Sequence, residues 1–313
     1  VKRGWKIALV VTVVLVLAYA ALLGVLLASG SSGGFSSGSG TVGVIRLDGV
    51  ISADGGGGYF DTGGIDPMWT VDMLEQADAD SAVDAVVLRI NSPGGSPAAS
   101  WEIYQAVRNM SKPVVVSVAD IAASGAYYIA SGADVIVAAP SSEVGSIGVI
   151  LVAQDLEGLF EKVGIRYTVL TRGKYKDIGS ASREMTAEEK RVLQGQIDQI
   201  YEQFIADVAD ARPTLDVDQV RELATGLTYP GAEALDLGLI DEIGSYSDAL
   251  DVAAEEAGLD LEDYSVDYIE PDWGTDFLSL LMGYQSKALR QIGSGIADGL
   301  RQSLGEGGRL RLE

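Results

Sequence analysis

The run Pro113-Val114-Val115-Val116-Ser117-Val118 constrains this chain more than any other stretch. An almost unbroken β-branched run, with no alternation of polar residues, reads as a strand covered on both faces, the situation of a parallel sheet between helical layers. Small residues follow it, Ala119-Asp120-Ile121-Ala122-Ala123, and they read as the first turns of a helix running on through Ser124-Gly125-Ala126-Tyr127-Tyr128. Ser124 then stands where a strand hands over to a helix. The first N–H groups of a helix lack internal partners and favour negative charge. Two uses of Ser124 are open at this point. It can be a nucleophile, with the Gly125 N–H helping to hold an oxyanion, or a plain N-cap.

The same alternation extends in both directions. Strands are expected at 42–47, 85–90, 135–140 and 167–170, and helices at 67–79, 97–110, 156–163, 217–224, 231–237 and 246–257. A longer helix is expected over 186–211, opening on Thr-Ala-Glu-Glu, a capping-box pattern. Strands alternating with helices predict an α/β fold with a parallel sheet. Between the 85–90 strand and its helix lies Asn91-Ser92-Pro93-Gly94-Gly95-Ser96. Two consecutive glycines permit a tight turn, or a backbone that a carbonyl can approach closely. No Lys-Ser/Thr pair follows them, so a Walker-type phosphate loop is discounted.

Four parts are expected along the chain. Residues 7–28 carry no charge over 22 positions, about 33 Å as a helix and enough for a bilayer core. Lys2, Arg3 and Lys6 precede them and no basic residue follows until Arg46, so the expectation is a single-pass anchor over 1–28 with a cytoplasmic N-terminus and the rest outside, the competing reading being a signal peptide cleaved near the small Ala28 and Ser29. Residues 29–40 are a Gly/Ser tether, 41–271 the main domain and 272–313 an accessory tail.

Composition narrows the chemistry. The chain has no His and no Cys, which excludes His-based triads, Cys nucleophiles and disulfides; a serine nucleophile must take Lys or a carboxylate as its base. Only eight lysines are present. The net charge of −23 argues against nucleic acid as a partner. It would also oppose compaction at low salt, so a high-salt environment is expected.

Four stretches now stand in order: Asn91-Ser92-Pro93-Gly94-Gly95-Ser96, Ala123-Ser124-Gly125, Gly145-Ser146-Ile147-Gly148 and Tyr175-Lys176-Asp177. Their order and spacing resemble the signal peptide peptidase A family, serine proteases with a crotonase-like (Clp protease-like) core of repeated ββα units. The resemblance covers about 42–259 and implies a Ser–Lys dyad without cofactor or metal. Ser124 matches the nucleophile, Lys176 the general base and Ser146 the serine that orients that lysine. Gly125 and the Gly94-Gly95 pair match the oxyanion-hole backbone, Gly95 being the favoured member. A free lysine titrates near ~10.4, some 3 units above a working base, so Lys176 is expected to be desolvated among small apolar groups, with Asp177 pointing away. Lys174 reads as an ordinary solvated charge.

A single copy of each motif resembles the family's short form. That form implies a homo-oligomer, a ring of about eight, with the dyad built inside one core. It also implies peptide substrates, such as remnant signal peptides and unfolded proteins, handled at the membrane outside the cytoplasm. Tyr127, Tyr128, Ile129 and the 147–151 run are candidates for an apolar groove or for core. The rival readings are an acyl-CoA enzyme on the same core, which would want basic residues for its phosphates, and a catalytically silent membrane scaffold.

Overall fold

The computed structural model describes residues 40–53 and 64–271. The expected anchor, the tether up to residue 39 and the tail from 272 lie outside the described residues. Among the described residues no helix is long and apolar enough to cross a membrane.

Ten strands and eight helices are described. The strands are β1 (Thr41–Asp48), β2 (Val50–Ile51), β3 (Gly64–Ile65), β4 (Ala85–Ser92), β5 (Val114–Ala123), β6 (Val135–Ala138), β7 (Glu143–Gly145), β8 (Thr228–Pro230), β9 (Glu242–Ile243) and β10 (Ser265–Tyr268). The helices are α1 (Pro67–Ala79), α2 (Pro97–Arg108), α3 (Gly125–Ser131), α4 (Glu157–Val163), α5 (Ala187–Ala211), α6 (Val217–Leu223), α7 (Gly231–Asp236) and α8 (Tyr246–Glu256).

The main sheet runs β10-β1-β4-β5-β6-β9, with every one of these neighbours parallel. Its central strands are buried on both faces, which accounts for their unbroken apolar sequences. On one side Val86, Leu88, Ile90, Val114, Val116 and Ile136 join the larger core with residues of α1, α2, α3 and α5. On the other, Ala85, Val87, Val115 and Val137 meet Ala249, Leu250, Ala253 and Ala254 of α8. The helices start where their sequences dictate. Asp66 caps α1 by accepting from the Met68 and Trp69 N–H groups, just before Pro67. Thr186 and Glu189 form the expected capping box of α5.

Two expectations are corrected. The small residues Ala119 to Ala123 do not begin a helix; β5 continues through them. Its first half pairs with β6, while Ile121, Ala122 and Ala123 pair with β7. Hydrogen bonds to neighbouring strands override the high helical preference of alanine there. The expected strand at 167–170 is irregular, because no neighbouring strand pairs with it among the described residues. A further turn of backbone matters for the site. The pairing of β5 with β4 shifts register between Ile90 and Ser92, the irregularity that leads into the Gly94-Gly95 loop.

Candidate active site

Ser124 stands between β5 and α3, as the sequence implied, but not as a cap. Its side chain makes no capping hydrogen bond to the helix, and its backbone lies at φ 53° and ψ −123°. Positive φ is costly for any residue with a Cβ, and a non-glycine held there is a strained position of the kind found at functional sites. The strain is imposed from both sides: the Ser124 N–H donates to Gly145 O at 2.7 Å, and Ser124 O accepts from the Tyr128 N–H at 2.9 Å. The side chain is thereby turned out of the helix and left part-exposed.

The Gly94–Ser96 loop packs directly against this turn. A Cβ at Gly94, whose φ is +95°, would lie 2.7 Å from Gly125 N and 2.9 Å from Ser124 Cβ. The loop is pinned along its length. The Gly94 N–H donates to Ser92 Oγ at 3.1 Å. The Ile51 N–H of β2 donates to Gly94 O at 3.0 Å, and the Ser96 N–H donates to Ile51 O at 2.8 Å. The Gly95 N–H, between them, has no acceptor among the described residues, and neither has the N–H of Gly125. Two unengaged amides thus border the hydroxyl-bearing turn, the arrangement that receives an oxyanion. Sequence reasoning named Gly94, Gly95 and Gly125 but missed β2, a strand of two residues with no periodicity of its own.

Ser146 is the second non-glycine at positive φ, 52°. Its N–H donates to Leu227 O at 2.8 Å and its hydroxyl to Gly226 O at 3.0 Å. Gly145 and Ser146 therefore sit one peptide from Ser124, while the Ser146 hydroxyl is directed at Gly226 rather than at a lysine.

Lys176 departs from expectation. Its side chain is exposed and makes no hydrogen bond or ion pair among the described residues, with Ser124 and Ser146 or with any other. The expected apolar surroundings are missing because the segment carrying it does not fold back onto the core. Nine large apolar side chains from Ile150 to Leu170 are exposed, Ile150 at 89% and Leu170 at 93%. The turn itself is well fixed. Arg183 bridges Asp177 at 2.8 Å and Glu189 at 2.6 Å, so the Asp177 carboxylate is engaged by Arg183. The hydrogen bonds from Arg183, and then the Thr186 N–H, hold the Glu189 carboxyl down to about 2. Lys174, exposed as expected, pairs with Glu188 at 2.6 Å, and that hydrogen bond raises its pKa.

The proposed groove residues divide. Tyr127, Tyr128 and Ile129 are core. Burial pushes the Tyr127 phenol up, and it donates to Leu239 O at 2.8 Å; burial and the Asp207 carboxylate do the same to Tyr128, which donates to Asp207. Ile147 is also buried, leaving Ile150 and Leu151 exposed beyond it. No group of three or more metal-ligating side chains occurs among the described residues.

Comparison with known proteins gives the family. Residues 106–260 match the model of peptidase family S49. A putative protease of Synechocystis sp. is 45% identical over 188 residues, which cover 59% of this chain and 68% of that one. A putative signal peptide peptidase of Enterococcus faecium is 35% identical, over 69% of this chain and 63% of its own. Among solved structures, a variant of the membrane-bound stomatin-specific protease 1510-N, in complex with a substrate peptide, superposes with a TM-score of 0.50. It shares 18% identity and covers 77% of this chain and 97% of that one, a likeness of fold.

Proposed function

Given that the chain belongs to peptidase family S49, the signal peptide peptidase A family, and is a serine protease, we propose that it is a membrane-anchored endopeptidase working through a Ser124–Lys176 dyad on a crotonase-like core. The observation that carries this reading is the strained, uncapped Ser124 beside the unengaged N–H groups of Gly95 and Gly125.

In the proposed reaction a neutral Lys176 Nζ takes the Ser124 hydroxyl proton as Oγ adds to the peptide carbonyl. The resulting oxyanion sits between the Gly95 and Gly125 amides. Collapse breaks the C–N bond, and Lys176 returns the proton to the departing amine. Water, deprotonated by the same Nζ, then adds to the acyl-enzyme; collapse breaks the C–Oγ bond, Nζ returns the proton to Ser124 Oγ, and the acid product leaves as a carboxylate after losing its own proton to solvent.

Lys176 must lose its water to act this way. The exposed apolar segment 150–170 supplies the means: covered by a neighbouring copy in a homo-oligomer, it removes apolar surface from solvent and encloses Lys176 together. Substrates are extended peptides with apolar character, remnant signal peptides and unfolded segments among them, met outside the cytoplasm.

The test is labelling of the full-length chain by a fluorophosphonate probe, alongside cleavage of an unfolded protein. Wild type should label at Ser124 and cleave; Ser124→Ala and Lys176→Arg should do neither, with unchanged circular dichroism. The arginine variant fails because a guanidinium does not deprotonate near neutral pH. Retained turnover by pure Ser124→Ala would overturn the assignment.

A further inference from the structure

Ser100, in the first turns of α2, is 0% exposed and does not border the part-exposed Ser124 hydroxyl through any hydrogen bond. Its Oγ donates to Ser96 O at 2.8 Å, the carbonyl that also accepts the Ser100 N–H at 3.0 Å. Such a bond to the residue four back is a common use of a helical serine, and it bends helices more than it stabilises them. The other side of the hydroxyl is unusual. A Cβ added to Gly125 would lie 2.2 Å from Ser100 Oγ, 3.2 Å from Ser100 Cβ and 3.3 Å from Gly95 N. One oxygen atom is therefore wedged against the Gly125 backbone, in a space that does not admit a methyl group, and the Gly95 amide borders the same space. That oxygen is hydrogen-bonded to the carbonyl of Ser96, the residue after Gly95, and lies against Gly125. The two amides lie on separate elements, and Ser100 joins them.

We propose that Ser100 is a positioning residue, a spacer that sets the separation of the Gly95 and Gly125 N–H groups. The inference rests on the oxyanion role proposed above for those amides. It explains why a buried position on a helix carries a serine where alanine would satisfy helical preference better.

Ser100→Ala removes the wedge and one of the two donors to Ser96 O. In the full-length chain kcat should fall roughly ten- to a hundredfold, the penalty for sub-ångström misplacement of catalytic groups, with KM unchanged. Affinity for a peptide aldehyde, which mimics the tetrahedral intermediate, should fall in parallel with kcat. Affinity for an uncleaved peptide, compared in Ser124→Ala and Ser124→Ala/Ser100→Ala chains, should not move. A second pair keeps the idea testable if folding suffers. Gly125→Ala should destabilise the chain by driving a methyl onto Ser100 Oγ. Adding Ser100→Ala should restore most of the melting temperature but not kcat, since the methyl stays beside Gly95 N. Wild-type kcat and aldehyde affinity in Ser100→Ala, whatever its melting temperature, would reduce Ser100 to a space-filler and overturn the inference. So would strictly additive losses in the Gly125 pair. Turnover by Ser124→Ala would instead refute the proposed function, so the two failures are distinguishable.

Discussion

Replacing Gly95 by alanine should cost activity, stability or both, in amounts that the local geometry bounds. The added methyl would stand 2.0 Å from Ile51 O and 2.7 Å from Ile51 N and C. These are backbone atoms of β2, so no side-chain rotation relieves the clash. If the loop stays, β2 must leave, and with it the bonds at 3.0 and 2.8 Å that join Ile51 to Gly94 and Ser96. Two hydrogen bonds at about 1 kcal/mol each, with about 1–3 kcal/mol for overpacking, make a loss of roughly 3–5 kcal/mol. For a domain of this size that lowers the melting temperature by roughly 6–20 °C. If β2 stays, the loop must move and the Gly95 amide leaves its place beside Ser124; losing one oxyanion donor costs about 10²–10³ in kcat. Thermal unfolding and kcat, measured on the same preparation, tell the two apart. Gly195→Ala is the control. Nothing lies within 4 Å of its added methyl, and it sits inside α5. It should gain about 1 kcal/mol and leave kcat alone. A Gly95→Ala chain with wild-type melting and wild-type kcat would refute both the contact and the role of the loop.

Leu170→Glu, at a side chain 93% exposed in one chain, should leave the fold intact while dissociating the proposed oligomer and abolishing cleavage; light scattering with activity measures this, and an active oligomer would contradict the covering of the 150–170 segment. The latch at the start of α5 should respond to acid. The Glu189 carboxyl is held down to about 2, so its stabilising contribution is complete above the ordinary glutamate range, near ~4.5, and is lost as pH falls through about 2. Hydrogen exchange at the first turn of α5 should rise over that interval in wild type and be raised, with little pH dependence, in Glu189→Gln; no difference between them would sink the latch. With a net charge of −23, the proposed oligomer and its activity should strengthen from 0.01 to 1 M salt, as the screening length shrinks from about 30 to about 3 Å. Light scattering that shows one salt-independent size would exclude charge as the control on assembly.

What the sequence disclosed follows from how local each feature is. β4 and β5 were legible because burial on both faces leaves no room for polar alternation, and α1 because Asp66 and Pro67 mark its start. The part of β5 beyond Val118 was not, since its extension rests on distant partners: Ile121 to Ala123 pair with β7, some twenty residues on, and Ala122 with Ser92 of β4. β2, β8 and β9 are two or three residues long and owe their existence wholly to neighbours. The Gly94-Gly95 pair announced a close backbone approach without saying that Ile51 makes it. Ser124 announced a strand-to-helix junction but not its positive φ, which the Gly145 carbonyl enforces.

The two halves of the candidate site differ in the same way. Ser124, Gly125 and Gly95 are held by a continuous strand, turn and helix, and by a loop pinned at both ends, so one chain builds them. Lys176 rides on a turn that is fixed to α5 through Arg183, yet the apolar segment leading to it has no surface to rest on. Under the proposed reading, whatever covers that segment also removes water from the lysine. Assembly and activation are then a single equilibrium, and the exposed apolar side chains are the means by which an uncovered chain is kept from cutting.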